Sequence, residues 1–141
     1  MTYYGGKEMA ASLRGVRQNT VQIAEEIPEE KYDFKASPDT RSVRQTLVHV
    51  ALSPGFQLHV HQNHIDDLKK VDFPSLMQTL LAEEGKPRTK ADIVALLRSE
   101  GERIASFLET LSDDFLAEQV AMPPGAQPAS KSRFEMLLSP K

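Results

Sequence analysis

The feature that most limits the possible folds of this chain is the helical spacing of its apolar residues. They recur at intervals of three and four over residues 7–27 and again over 89–111, which is the period of one face of an amphipathic helix. The first segment carries Met9, Leu13, Val16, Thr20, Ile23 and Ile27, apolar except for the threonine. No internal repeat and no strand-like alternation of useful length occur. The pattern therefore predicts an all-α helical bundle.

Individual residues on the predicted helices carry further expectations. Arg17 falls outside the apolar stripe and is expected to face water. Gly101 lies in the middle of the second long segment, where glycine costs about 1 kcal/mol relative to alanine, so we expect a close helix contact or a cavity there. Glu83 and Glu84 end a short helix predicted over 72–85. Because neighbours on a helix point in different directions, we interpret them as solubilising charge rather than an acid/base pair.

A histidine in an apolar helix is the first candidate functional residue. The helix begins at Ser42, which acts as N-cap, and Gln45 three residues later completes a capping box. His49 follows about two turns from this start, among Leu47, Val48, Val50, Ala51 and Leu52, so we expect its imidazole to be buried. Pro54 cannot donate to the carbonyl of Val50 and its ring crowds that carbonyl. The helix must therefore kink or break one turn after His49.

Composition restricts the class of protein. The 141 residues suit a single domain over 1–141, and the net charge of -3 leaves no basic surface for a phosphate backbone, which argues against nucleic-acid binding. The chain has no cysteine, which excludes a thiol nucleophile, a disulfide framework and cysteine-bound zinc. Neither a signal peptide nor a run long enough to span a membrane is visible. We expect a cytoplasmic protein without a membrane or nucleic-acid partner.

Three segments, taken in order, carry a resemblance to a known family. They read Ile-Pro-Glu-Glu-Lys-Tyr-Asp-Phe at 27–34, Ser-Val-Arg-Gln-Thr-Leu-Val-His-Val-Ala at 42–51 and Ser-Arg-Phe-Glu-Met-Leu-Leu at 132–138. This order resembles the DinB-like family of metalloenzymes, also called DinB/YfiT-like, over nearly the whole chain, and the second segment is the most specific. The resemblance implies a four-helix bundle that is commonly a homodimer.

The resemblance also implies a metal site. Members of the family hold a divalent metal, here nickel, zinc, manganese or iron, with one histidine on the second helix and a histidine pair on the fourth; His49 matches the first ligand. The implied chemistry is that of a thiol-dependent transferase or isomerase, in which the metal lowers the proton affinity of a small-molecule thiol. The pair would follow Met136, and Ser139 with Pro140 resembles only a helix start. We therefore expect a C-terminally shortened member whose fourth helix is largely missing.

Two other histidines are weaker candidates for metal ligands. We expect the helix to resume after Pro54 and to continue to residue 68, so that His61 and His64, three residues apart, could chelate from one face. The alternative for this pair is a solvated surface of mixed charge. The alternative for His49 is a core histidine hydrogen-bonded to the backbone.

Two functions of different classes follow from these observations. The first is a divalent-metal-binding DinB-like protein with transferase-like chemistry, an incomplete histidine site and a small-molecule thiol or other substrate. The second is a non-catalytic helical module that dimerises through the open apolar groove of an incomplete bundle. The sequence leaves open whether the chain is an enzyme.

Overall fold

The computed structural model describes residues 3–138, which are mostly helical. The α-helices are α1 (Gly6–Glu26), α2 (Val43–Leu52), α3 (Gly55–Gln62), α4 (Phe73–Glu84), α5 (Lys90–Glu109), α6 (Asp113–Ala117) and α7 (Arg133–Leu138). The prediction of an all-α fold is confirmed. Within residues 3–138, no helix combines the length and the apolar character needed to cross a membrane. The helix start predicted at Ser139 lies outside the described residues.

A small antiparallel hairpin is a departure from helical structure that the sequence did not indicate. Its strands are β1 (Gln119–Ala121) and β2 (Ser130–Ser132), with Val120 opposite Lys131. Arg133, the first residue of α7, donates its backbone N–H to the carbonyl of Glu118 just before β1. The hairpin therefore fixes where α7 begins.

The core lies mainly between α1 and α5, which pack along their length. One cluster of buried side chains joins these helices to α3 and α7 and includes Met9, Leu13, Leu58, Ile104, Leu108 and Leu137. A second joins them to α2 and includes Val21, Tyr32, Leu47, Val48, Ile93 and Leu97. The residues before α2 are also tied to this cluster, because the buried Tyr32 donates its hydroxyl hydrogen to the carbonyl of Ala24.

The apolar stripe predicted for α1 is only partly right. Met9 and Leu13 are buried, but Val16 and Ile23 are 42% and 55% exposed. The buried face continues instead through Arg17, Val21 and Ala24. This path also has helical spacing, and it is selected because α5 presents a glycine opposite the arginine. An apolar strip of α1 around Val16 and Ile23 is therefore left facing outward.

Arg17 is the main correction to the sequence analysis, since it lies inside the protein and not in water. Its side chain is 7% exposed, and its guanidinium donates to the carbonyl of Leu97 at 2.9 Å and to the carbonyl of Val50 at 3.2 Å. The second acceptor is the carbonyl that Pro54 leaves without a helical donor. Gly101 makes the approach possible, because a Cβ there would lie 2.5 Å from Cγ of Arg17. The close helix contact expected at Gly101 is confirmed.

The break predicted at Pro54 is also confirmed. Helix α2 ends at Leu52 and α3 begins at Gly55. The predicted continuation to residue 68 is wrong, because α3 ends at Gln62 and His64 takes a positive φ of 51°. A short 3-10 turn at Leu68–Lys70 then leads to α4, whose N-cap Asp72 accepts a hydrogen bond from the amide of Ser75.

Replacing Gly101 by alanine tests the contact with Arg17. Alanine is the better helix former, yet its methyl group would overlap the Arg17 side chain, so we expect Gly101→Ala to lower the free energy of unfolding by about 1–3 kcal/mol. The matched control is Gly15→Ala on α1, where a Cβ meets nothing within 4 Å. That control should raise stability by up to about 1 kcal/mol. Urea denaturation of the three proteins measures both changes, and equal stabilisation by both substitutions would contradict the packing described here.

Candidate functional site

His49 lies at the surface of α2 that faces α4, and it is not buried as predicted. Its side chain is 35% exposed. The neighbouring Leu47, Val48 and Ala51 turn toward the core and are buried, whereas Leu52 is half-buried. An apolar neighbourhood in the sequence did not bury the imidazole, because α2 packs its other side against α5 and leaves this side to the shorter α4.

A buried carboxylate holds the imidazole of His49 in place. Oε1 of Glu84, in the last turn of α4, lies 2.6 Å from Nδ1 of His49, and its Oε2 accepts a hydrogen bond of 2.8 Å from Nε of Arg41. The Glu84 side chain is only 4% exposed, which corrects its interpretation as solubilising charge. With the carboxylate on Nδ1, the neutral ring carries its proton there and presents the lone pair of Nε2.

No local pattern in the sequence indicates this pairing. Glu84 and His49 are 35 residues apart, and Arg41 precedes the N-cap of α2. The only hint was a glutamate at the end of a predicted helix, which is the common position of solvent-facing charge. The site depends on the packing of α4 against α2, and this packing is a tertiary feature.

His49 separates two cavities of different character. On one side is a cavity of about 460 Å³ between α2, α3 and α4, whose apolar walls are Leu52, Phe56, Phe73, Leu76, Met77 and Leu80. On the other side is an open, polar cavity of about 690 Å³ that includes Lys35, Asp39, Arg41, Gln45 and Glu84. The Nδ1 edge of the ring faces Glu84 and hence the polar side. The imidazole therefore stands at the boundary between an apolar and a charged compartment.

His61, a second candidate ligand, is a buried residue of the core and not part of a solvated surface. It is completely inaccessible to solvent. Its Nε2 lies 3.0 Å from Oε1 of Gln57, and its Nδ1 lies 3.1 Å from Nη1 of Arg133. Because an arginine can only donate, Nδ1 is the acceptor and the ring is neutral with its proton on Nε2.

Arg133 completes this buried network and was not singled out by the sequence. It is 1% exposed, its Nε donates to Oε2 of Glu118 at 2.9 Å and its Nη1 also donates to the carbonyl of Ile65 at 3.0 Å. The guanidinium lies 4.7 Å from the ring centroid of Phe115. Burial first, and the charge of Arg133 second, lower the pKa of His61 from 6.5 to about 4.

His64, the other member of the predicted pair, is exposed beyond the end of α3. Its ring stacks edge-on against Phe115, with 5.3 Å between the ring centroids. Both ring nitrogens of His61 are engaged in hydrogen bonds, so a metal shared by His61 and His64 would have to displace Gln57 or Arg133. Metal binding by this pair stays a prediction.

The described residues do not by themselves fit a divalent metal. Over 3–138 there is no group of three or more histidine, cysteine, aspartate or glutamate side chains that could hold an ion. At His49 the donor set is one imidazole whose carboxylate partner is already shared with Arg41. A single imidazole holds a divalent ion weakly, since structural and catalytic sites use at least three protein ligands.

The fold is that of an all-α bundle protein whose second helix carries a histidine held by a carboxylate. Comparison with known families identifies the family. A family model described as the DinB superfamily matches residues 12–138, which is most of the chain. The protein belongs to the DinB superfamily. No curated protein matches the chain.

Lowering the pH tests the buried network around His61. Because the folded pKa of about 4 lies below the ordinary 6.5, the unfolded chain binds a proton between these values that the folded chain does not. The stabilisation linked to the neutral His61 is therefore fully present above pH 6.5 and is lost as the pH falls toward 4. The total loss in the free energy of unfolding is on the order of 3 kcal/mol.

The comparison that isolates this effect uses two variants. We expect His61→Gln, measured by urea denaturation from pH 7 to 4, to show a flatter fall in the free energy of unfolding than the unmodified protein. His59→Gln is the control, because His59 is exposed on the same helix. Identical pH profiles for the unmodified protein and His61→Gln would show that His61 titrates normally.

Proposed function

We propose that this DinB-superfamily protein binds a divalent metal through Nε2 of His49, with its remaining ligands supplied by a second copy of the chain or by a bound small molecule. The observation that supports this proposal is the 2.6 Å contact between Nδ1 of His49 and the buried carboxylate of Glu84. Histidine ligands typically donate the other ring N–H to a carboxylate, which fixes the tautomer and raises the basicity of the coordinating nitrogen.

Each protein group has a defined part in such a site. Glu84 accepts a hydrogen bond from Nδ1–H of His49 and so orients the ring. Nε of Arg41 donates to the other oxygen of the carboxylate at 2.8 Å and holds it in place. The apolar walls on the α3 side line one flank of the imidazole. A bound nickel, zinc, manganese or iron ion would supply a Lewis acid that favours the thiolate form of a small-molecule thiol. The corresponding activity is a thiol-dependent transfer reaction.

Metal affinity is the measurement that tests the proposal. We expect the purified full chain to bind Zn²⁺ or Ni²⁺ in calorimetric titrations, with binding lost in His49→Ala. Glu84→Gln keeps the hydrogen-bonding shape but loses the charge, and it should weaken metal binding by about 10–100-fold. His59→Ala, on the exposed face of α3, is the matched control and should bind as the unmodified protein does. Equal metal binding by His49→Ala and the unmodified protein would refute the role of His49.

A second candidate function is a helical module that forms a homodimer. It is favoured by the apolar strip on α1, where Val16 and Ile23 lie two turns apart and are 42% and 55% exposed. Apolar patches that stay open to water commonly mark association surfaces. In this function His49 and Glu84 would hold α2 against α4 and have no ligand.

Light scattering at micromolar concentration tests the dimer. We expect the unmodified protein to dimerise and Ile23→Lys to shift it toward monomer, because the substitution places a charge in the apolar strip. Gln18→Lys adds the same charge at an exposed polar position on another face of the same helix and should leave the oligomeric state unchanged. A monomeric unmodified protein would exclude this function at that concentration.

A further inference from the structure

The apolar cavity beside His49 has the size and lining of a small-molecule site. Its volume of about 460 Å³ lies within the range of about 300–1,000 Å³ that is usual for such sites. Two of its walls, Phe73 and Met77, are 40% and 51% exposed. Phe56 packs against Phe73 with 5.1 Å between ring centroids, which shapes the aromatic end of the cavity. A ligand here would cover apolar surface that now faces water.

The polar groups in the walls restrict what such a ligand can carry. The hydroxyl of Thr79 donates to the carbonyl of Ser75 at 3.0 Å, so its hydrogen is already used. The carboxylate of Glu83 is held by Lys86 and by Arg88, the latter at 2.7 Å. His49 is the imidazole in the wall, and its Nδ1 is committed to Glu84. Two groups are left to meet a ligand: the hydroxyl of Ser53, which can donate or accept, and Nε2 of His49, which in the neutral ring is a hydrogen-bond acceptor.

Charge decides between a neutral and an anionic ligand. Hydrogen bonds from Lys86 and then Arg88 hold the pKa of Glu83 below its usual value, so a negative charge stands at the wall of the cavity. A second carboxylate, Glu84, lies directly behind His49. Both carboxylates already have cationic partners, and no lysine or arginine is among the described residues that line the cavity. An anionic head group would therefore find no cation there, whereas a neutral hydroxyl would meet an acceptor.

We propose that this cavity binds a neutral, largely apolar small molecule carrying one hydroxyl group, a phenol or an alcohol, whose O–H donates to Nε2 of His49. The proposal goes beyond metal binding and does not require it, because the same lone pair can accept a hydrogen bond when no ion is present. The metal titration and the ligand titration can therefore succeed or fail separately.

Three probes of nearly equal size separate the contributions to binding. The probes are 2-naphthol, 2-methoxynaphthalene, which lacks the donor, and 2-naphthoate, which is anionic. Calorimetric titration of the full chain in EDTA should show 2-naphthol binding roughly tenfold more tightly than 2-methoxynaphthalene, the loss expected for one unmade hydrogen bond. The anionic probe should bind more weakly still.

Two substitutions place the ligand in this cavity. Gly55 lines it and has nothing within 4 Å of an added Cβ, so Gly55→Leu should occupy the space without straining α3 and should abolish binding of both neutral probes. Gly15→Leu, on a distant open position of α1, is the control and should leave both affinities unchanged. His49→Phe keeps the ring but removes the acceptor, and it should reduce the tenfold preference for 2-naphthol to about one.

Several results would overturn the proposal. Equal affinity for 2-naphthol and 2-methoxynaphthalene would show that Nε2 accepts no hydrogen bond from the ligand. A preference for 2-naphthol that persists in His49→Phe would show the same. Unchanged binding in Gly55→Leu would place the ligand elsewhere. If 2-naphthol binds only after metal is added, Nε2 of His49 binds the metal ion and not the hydroxyl group. A dimer that Gly55→Leu dissociates would show that a second copy of the chain fills the cavity.

Discussion

The carbonyl of Val50, left without a helical donor by Pro54, is the constraint on which much of this structure depends. A buried carbonyl without a partner costs on the order of 1–3 kcal/mol, so the break in the second helix needs a donor from elsewhere. Arg17 supplies it from α1 at 3.2 Å. The aliphatic part of the Arg17 side chain packs against α5 at Gly101, because glycine has no Cβ to obstruct it. Arg17 on α1, Gly101 on α5 and Pro54 between α2 and α3 thus form a single packing unit.

The break at Pro54 in this unit separates the two histidine sites, of which only that of His61 is fully buried. Because α2 ends at Leu52 and α3 starts in a new direction at Gly55, the residues on either side of Pro54 face different neighbours. His49 meets α4 and its buried carboxylate, whereas His61 meets Arg133 at the start of α7. An unbroken helix would carry both histidines on one continuous element. The break places them in different environments.

The two histidines show how a partner determines the chemistry of an imidazole. Glu84 accepts from Nδ1 of His49 and leaves Nε2 with a lone pair at a half-exposed position, which suits metal or ligand binding. His61 has a cation on one nitrogen and an amide oxygen on the other, in full burial, and both interactions favour the neutral ring. The first arrangement suits a functional site, and the second suits a structural element that links α3 to α7.

The sequence alone determined the features that depend on neighbours within about one helical turn. The capping box at Ser42, the break at Pro54 and the extent of the long helices follow from such local patterns, and each is present in the structure. The family resemblance extends over nearly the whole chain and is supported by the family match. The tertiary structure decided which face of each helix became the inside. It buried Arg17 and exposed Val16 and Ile23, and it brought Glu84 to His49 across 35 residues of chain. A helix with two acceptable apolar faces does not encode which one its neighbour will cover, because that choice depends on a glycine and two carbonyls on other helices.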